Sequence, residues 1–131
     1  MNLIAPPDVN VASLVLRLVV GTLLTIHGFP KLRAGKQKAQ SITKMGTPAG
    51  IVPFAGFAEF FGGLGLIFGI LTPIVAILVT LWMLATTWFA ISKLKKKYQM
   101  GWELDITLVL AALAIVFLGS GIYSIDHLLG I

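Results

Sequence analysis

The sequence contains no cysteine. Without thiols, the chain cannot form disulfides, thiolate metal sites, iron–sulfur centres or a dithiol redox pair. It contains only two histidines, His27 and His127, and neither belongs to a pattern with metal-ligand spacing. We therefore expect no transition-metal site in this chain.

Charged residues are also scarce, at 11% of the 131 residues, which is about half the share found in soluble domains. Hydrophobic residues make up 57% of the chain, and the mean hydropathy is +0.96. Four apolar blocks approach the roughly 20 residues that cross a hydrocarbon core of about 30 Å. The predicted fold class is all-α: one domain over residues 1–131, an integral membrane four-helix antiparallel bundle with short loops. The expected helices are 9–29, 51–71, 74–92 and 103–122.

The basic residues are distributed unevenly. Nine of the ten lie in the first and third connections: Lys31, Arg33, Lys36, Lys38, Lys44, Lys93, Lys95, Lys96 and Lys97. The N-terminus, the turn at Thr72-Pro73 and the C-terminal tail contain none. Because cytoplasmic loops are rich in Lys and Arg, we expect a cell-membrane protein with basic loops in the cytoplasm and both termini extracytoplasmic. Topology and contact with lipid headgroups then account for the net charge of +5, without nucleic acid as a partner.

Two charges interrupt the apolar blocks. Glu59 lies in a glycine-rich run that includes the pair Gly65-x-x-x-Gly69, a spacing that favours close helix packing in lipid. Arg17 shares a helical stripe with Gly21, Leu24 and Gly28. Since an unpaired charge is costly in lipid, we predict an ion pair between Arg17 and Glu59 within the bundle. This pair would either line a ligand pocket or act only as a structural bridge.

Two further polar groups are expected at the ends of the bundle. One gathers His27, Lys31, Glu103 and Asp105 near the cytoplasmic face, and the other contains Ser124, Asp126 and His127 outside. Each has a structural alternative: an interfacial hydrogen bond for His27, a helix cap for Glu103 and Asp105, and a cap of a tail turn for Asp126. Because the two histidines would lie at opposite faces, we expect no bis-histidine haem within one chain.

Several short motifs follow one another along the chain: Arg17-Leu18-x-x-Gly21, His27-Gly28-x-x-Lys31, Glu59-x-x-Gly62-Gly63-Leu64, Met83-Leu84-Ala85, Gly101-Trp102-Glu103 and Gly119-x-Gly121-x-x-Ser124-x-Asp126. Their order resembles the DoxX family of small four-helix membrane proteins, over nearly the whole chain. Many members of that family carry a histidine near the end of the third helix, where this chain has Ile91-Ser92. A role of that histidine would not carry over.

The resemblance implies a relation to the membrane subunits of an archaeal thiosulfate:quinone oxidoreductase, which passes electrons from thiosulfate to a membrane quinone. By position it directs attention to Arg17, His27, Lys31, Glu59, Glu103 and Asp126. We expect Arg17 or His27 to hydrogen-bond a quinone carbonyl and Glu59 or Glu103 to supply protons. Trp82 or Phe89 would pack on the ring. Glu59, Arg17 and His27 are thus the catalytic candidates. The ligand-binding candidates are the same three residues together with Lys31, Trp82, Glu103 and Asp126.

Two functions from different classes follow. The first is a quinone-interacting subunit of a membrane redox system, in which a bound quinone or a partner carries the electrons because the chain has no redox group of its own. The second is a structural or assembly subunit of a larger respiratory complex, without chemistry and with exposed glycine faces for docking. The expected partners are the lipid bilayer and either a protein subunit or a second copy. Whether the chain is itself an enzyme stays open.

Overall fold

The computed structural model describes residues 8–33, 51–93 and 95–131, and these residues form a bundle of antiparallel helices. The elements are α1 (Val9–Arg33), α2 (Ile51–Phe68), α3 (Thr72–Ser92), α4 (Glu103–Leu118) and a short α5 (Ile125–Leu129). An irregular turn, Tyr98–Trp102, precedes α4. The fold class is the all-α bundle that the sequence predicts. Residues 35–45 are rich in helix formers, which predicts an amphipathic segment on the cytoplasmic surface of the membrane, and they lie outside the described residues.

The outer surface of the bundle is apolar. α1, α3 and the segment Tyr98–Leu118 are each long and apolar enough to cross a membrane, and α2 contributes a shorter apolar stretch, Pro53–Phe68. Large side chains such as Leu81 and Phe117 point outward, with Phe117 84% exposed. Water would disfavour so large an apolar surface, whereas lipid matches it. The chain is therefore a membrane protein.

The interior combines small and aliphatic side chains from all four long helices. Its buried centre consists of Val20, Leu24, Leu66, Ala76, Val79, Met83, Leu108, Val109, Ala112 and Ile115. Thr80 and Thr87 are also buried, and each hydroxyl donates to the carbonyl one turn earlier on α3. These hydroxyls are therefore satisfied within their own helix and require no partner elsewhere.

α1 and α2 approach each other at facing glycines. A Cβ atom added to Gly21 would lie 2.7 Å from the Gly63 carbonyl oxygen, and one added to Gly28 would lie 2.9 Å from that of Gly56. Both pairs are backbone contacts, so no side chain could move aside. In lipid, where helices gain little hydrophobic energy from association, such close backbone packing is a main source of affinity between helices.

The predicted stripe of Arg17, Gly21, Leu24 and Gly28 is buried in this interface. The prediction for the second helix is wrong, because Gly65 and Gly69 do not form a packing pair. A Cβ on Gly65 would meet the Val75 side chain and the Ile70 carbonyl oxygen at ordinary van der Waals distances, and Gly69 follows the end of α2 with a φ of +70°. Glycine at Gly69 supports the left-handed turn that stops the helix.

The helix ends differ from the predicted ones by a few residues. α1 continues through Pro30 to Arg33, beyond the predicted end at residue 29, because Gly28 serves packing against α2 and not termination. α3 begins at Thr72, two residues early, since Pro73 fits the first turn of a helix. α4 ends at Leu118, and Gly119 has a φ of +76°.

Residues 119–131 fold back over one end of the bundle. The Ser13 hydroxyl donates to the Gly119 carbonyl at 2.7 Å, and the Ile122 amide donates to the Asn10 side chain at 3.1 Å. We call this end of the bundle the tail end. It contains the start of α1, the turn between α2 and α3, and residues 119–131, which we call the tail. The opposite end, with Lys31 on α1 and Glu103 on α4, is the basic end.

Candidate ligand site

A salt bridge between α1 and α2 lies toward the basic end. Lys31 Nζ donates to both carboxylate oxygens of Glu59, each at 2.8 Å. The Glu59 side chain is only 4% exposed, whereas that of Lys31 is 32% exposed. Lys31 reaches the carboxylate because α1 continues past Pro30. The buried Glu59 carboxylate is thus paired with a lysine whose side chain is partly exposed at the surface of the bundle.

Trp82 on α3 also contacts this carboxylate. Its indole Nε1 donates to Glu59 Oε1 at 3.3 Å. The Trp82 ring packs edge to face against Phe54, with ring centroids 5.4 Å apart. The indole is held both by the hydrogen bond and by an aromatic neighbour, which fixes its orientation.

An apolar cleft of about 310 Å³ lies beside Glu59, between α2 and α3. The lining residues are Leu24, Phe57, Ala58, Glu59, Phe61, Gly62, Val75, Leu78, Val79 and Trp82. Phe57 and Phe61 are more than half exposed on the outer surface, so the cleft opens where lipid would contact the protein. Glu59 thus borders a cleft on the lipid-facing surface of the bundle.

Other ionisable groups surround the salt bridge at a greater distance. Asp105, in the first turn of α4, interacts electrostatically with Lys31 and Glu59. It also interacts with Lys96 and His27. His27 is exposed on α1, and no hydrogen bond of its ring joins it to the described residues of the cleft. Asp105 thus lies within electrostatic range of several acidic and basic groups of the basic end, including the Lys31–Glu59 bridge.

Glu103 lies at the same end but has a local role. Its Oε1 accepts a hydrogen bond from the Met100 amide at 2.9 Å, which stabilises the turn before α4. Met100 has a φ of +56°, so the carboxylate supports an unusual backbone conformation. Phe89, the other candidate for packing on a ring, is not among the residues described as lining the cleft.

Arg17 belongs to the tail end, and its side chain is completely buried. Nη1 donates to the carbonyls of Leu66 and Ile67 at 3.2 and 3.4 Å, and Nη2 donates to the Tyr123 carbonyl at 2.7 Å. The first two carbonyls are at the C-terminus of α2, where the helix dipole favours a cation. Arg17 therefore joins α1, α2 and the tail.

Asp126 is buried next to this arginine, 2% exposed, and is its nearby opposite charge. Its carboxylate accepts hydrogen bonds from the backbone amides of Leu71 and Thr72, the latter at 2.7 Å. Its own amide donates to the Gly69 carbonyl at 2.9 Å. Asp126 therefore caps the start of α3 from the tail, and not the tail turn that the sequence suggested.

The predicted ion pair between Arg17 and Glu59 is wrong. The α2 carbonyls bound by Arg17 lie seven and eight residues beyond Glu59, which is about 10–12 Å along the helix axis. Each charge instead has a partner at its own depth. The structure therefore divides the predicted site residues into a basic-end group with Lys31, Glu59 and Trp82, and a tail-end group with Arg17 and Asp126.

The sequence alone missed the partnership of Lys31 with Glu59. The predicted first helix ends at Phe29, which leaves Lys31 outside the helix. The signal was present in the spacing: Gly21 and Gly28 are seven residues apart, as are Gly56 and Gly63. Aligning these pairs in antiparallel fashion sets Lys31 opposite residue 53, about 9 Å from Glu59 along the helix axis. The two side chains can bridge this distance because each points toward the N-terminus of its own helix, and in an antiparallel pair that brings them together. Phe57 and Phe61 were not predicted as lining residues either.

Within residues 8–33, 51–93 and 95–131, no three His, Asp or Glu side chains converge in a way that could hold a metal ion. The described residues form an all-helical membrane bundle with one carboxylate held against a lipid-facing apolar cleft. The class is that of a small integral membrane protein with an intramembrane polar site.

Comparison with known proteins gives the family. The family model described as DoxX matches residues 12–92, more than half of the chain. This protein belongs to the DoxX family, as its motifs indicate.

Two relatives match along most of their length. One is "Putative oxidoreductase CatD" of Bacillus subtilis (strain 168), 26% identical over 89% of this chain and 86% of that protein. The other is "Inner membrane protein YqjF" of Escherichia coli (strain K12), 29% identical over 92% of this chain and 93% of that protein. No solved structure is significantly similar.

Proposed function

We propose that this DoxX protein is a quinone-interacting subunit of a membrane redox system, and that its ligand binds in the cleft between α2 and α3. The observation that carries the proposal is the Glu59 carboxylate, 4% exposed, on the wall of an otherwise apolar cleft that opens to lipid. Ligand sites commonly combine apolar walls with a small number of oriented polar groups. A quinone headgroup, an apolar ring with two oxygen atoms, matches that composition.

The chemistry of a quinone fits the groups at this position. Interconversion of quinone and hydroquinone moves two electrons and two protons, so its site needs a group that exchanges protons with the ring oxygens. Glu59 is such a group. Lys31 contacts its carboxylate, and Asp105 lies within electrostatic range of Glu59, Lys31 and His27. The oxidoreductase name of the relative in Bacillus subtilis agrees with this class of reaction.

The electrons must come from or go to another protein. The sequence contains no cysteine, and the proposed site contains no group that changes oxidation state by itself. A partner subunit would therefore carry the redox centre, as in a thiosulfate:quinone oxidoreductase. We assign ligand binding to Glu59 and Trp82, with Lys31 positioning the carboxylate. Arg17 and Asp126 would stabilise the fold.

Tryptophan fluorescence tests this proposal directly. The chain has three tryptophans, Trp82, Trp88 and Trp102. A protein with W88F and W102F keeps only Trp82, the indole in the cleft. After reconstitution in lipid nanodiscs, addition of a short-chain benzoquinone should quench Trp82 in a saturable manner. E59L should abolish competition by the corresponding hydroquinone for this saturable component, because it removes the carboxylate that would accept from a ring hydroxyl.

The matched control is the protein with W82F and W102F, which keeps Trp88. Trp88 is on the same helix but is 63% exposed on the outer surface. Quinone dissolved in the lipid should quench it linearly, without saturation. If both proteins show the same linear quenching, the cleft is not a quinone site, and the alternative of an assembly subunit without chemistry is favoured. Copurification of a partner would then be unaffected by E59L.

A further inference from the structure

The hydrogen bonds at Glu59 leave one position open. A carboxylate has two lone pairs on each oxygen and, as the anionic member of a salt bridge, donates nothing. Oε1 accepts from Lys31 Nζ and from Trp82 Nε1, so both of its positions are used. Oε2 accepts only from Lys31 Nζ among the described residues. One charged acceptor position on Oε2 therefore remains.

The cleft has no corresponding donor among its described lining residues. Apart from Glu59, the only side chain in the lining with an N–H or O–H group is Trp82, and that N–H is committed to Glu59. The other lining side chains are aliphatic or phenylalanine. Their backbone amides lie inside helices. Lys31 has a third N–H, but Lys31 is not part of the lining and is partly exposed at its own surface.

We infer that the cleft selects ring hydroxyl groups and disfavours ring carbonyls, so that it binds the reduced, hydroquinone form of its ligand more tightly than the quinone. This inference rests on the proposed function and specifies which redox form the site holds. A hydroxyl donates to Oε2 and completes the hydrogen bonding of the carboxylate. A carbonyl offers only lone pairs, and it leaves both itself and Oε2 without a donor, which is costly inside an apolar cleft.

The contacts of Glu59 hold its carboxylate in one orientation, and this orientation maintains the preference for hydroxyl groups. Lys31 holds Glu59 through both oxygens, Trp82 holds it through Oε1, and Phe54 packs against Trp82. Rotation of the carboxylate to present a different set of groups would break these contacts. Hydrogen bonds to charged groups are stronger than neutral ones, so we expect hydroquinone to bind about tenfold more tightly than quinone, or better.

Competition in nanodiscs tests the inference. The single-Trp82 protein is first quenched with the short-chain benzoquinone, under anaerobic conditions. The hydroquinone of the same ring is then added, so that no net redox reaction occurs, and recovery of Trp82 emission reports displacement. The hydroquinone should displace at about one tenth of the quinone concentration or less. Its dimethyl ether, which has the same ring and no hydroxyl, should compete no better than the quinone.

Substitution of Glu59 provides the second arm. E59Q introduces an amide N–H donor, so the preference for hydroquinone over quinone should fall to about one or reverse. In E59Q, Lys31 is left without its carboxylate partner, which could disturb the fold. The double variant K31M/E59Q removes that unpaired charge and should show the same loss of preference for hydroquinone, so the loss would come from hydrogen bonding at residue 59 and not from misfolding.

The outcomes distinguish the two claims. The inferred selectivity would be overturned if quinone or the dimethyl ether bound as tightly as hydroquinone or more tightly. The site itself would still stand in that case. Absence of saturable binding for all three ligands would refute the site itself and, with it, the proposed function.

Discussion

At the residue scale, the costs of burying Glu59 and Arg17 are offset in different ways. Glu59 has a formal counter-charge, Lys31, at 2.8 Å. Arg17 is bound chiefly by main-chain carbonyls, two of them at the C-terminus of α2. A cation among helix C-terminal carbonyls is stabilised without a direct ion pair, so the arginine serves to hold three segments together.

The pairing can be measured by double-mutant cycles. K31M and E59Q should be strongly non-additive in their effect on the free energy of unfolding in detergent, with a coupling of about 1 kcal/mol or more, because the two side chains share both hydrogen bonds. R17L and E59Q should be additive within about 0.5 kcal/mol. A large coupling between Arg17 and Glu59 would contradict the separation of the two groups described above.

The cap provided by Asp126 gives a second prediction. D126N should lower the free energy of unfolding by about 1–2 kcal/mol. The asparagine side chain has one acceptor oxygen, and its NH₂ group would face a backbone N–H group that needs an acceptor. D8N is the matched control. Asp8 accepts from the Asn10 and Val11 amides at the start of α1, but this cap is exposed to solvent. Thermal unfolding monitored by circular dichroism should show a larger loss for D126N, and equal losses would argue against a special role of the tail.

At the scale of elements, the α1–α2 pair is the most closely packed unit of the bundle. The glycines face each other in pairs, and they fix the axial register that brings Lys31 to Glu59. Because these glycines are used within the chain, they are not available as docking faces for another protein. The glycine-based argument for an assembly subunit therefore loses its support.

Alanine substitution tests this interface. G63A should destabilise the protein by about 1–3 kcal/mol, because its Cβ would lie 2.6 Å from the Gly21 carbonyl oxygen. G65A is the control on the same helix, where the nearest atoms to the added Cβ would be two Val75 side-chain carbons at 3.5 and 3.6 Å and the Ile70 carbonyl oxygen at 3.8 Å, all ordinary contacts. G65A should be neutral or slightly stabilising, since alanine favours helix. Comparable destabilisation by both would show that the facing glycines do not determine the packing.

At the scale of the whole molecule, the two ends of the bundle differ in chemistry. The tail end is closed by residues 119–131, whose Asp126 is buried next to Arg17. The basic end contains the Lys31–Glu59 bridge, Asp105 and the cluster Lys95–Lys97. The proposed ligand site would therefore exchange protons with the side that contains the basic loops, which the charge distribution predicts to be the cytoplasm.

The absence of cysteine makes this orientation straightforward to test. K93C introduces a thiol at the basic end and L128C introduces one in the tail, where Leu128 is 82% exposed. In intact cells, a membrane-impermeant maleimide should label L128C and leave K93C unlabelled until the membrane is permeabilised. The reverse pattern would place the basic loops outside and would assign proton exchange to the opposite side.

The sequence by itself determined the class of the protein and the position of most of its helices. Long apolar blocks specify membrane helices because lipid requires every backbone group to be satisfied internally. The stripe of Arg17, Gly21 and Gly28 followed from helical periodicity alone, and so did its burial. The motif order likewise indicated the DoxX family.

Only the tertiary structure decided which charges meet. The partner of Glu59 depends on how far α1 continues beyond Pro30 and on the register set by Gly21 with Gly63 and Gly28 with Gly56. The role of Asp126 depends on the tail folding back 54 residues along the chain to reach Thr72. Such contacts join residues distant in sequence, and their choice rests on helix rotation and depth, which hydropathy and local spacing do not specify.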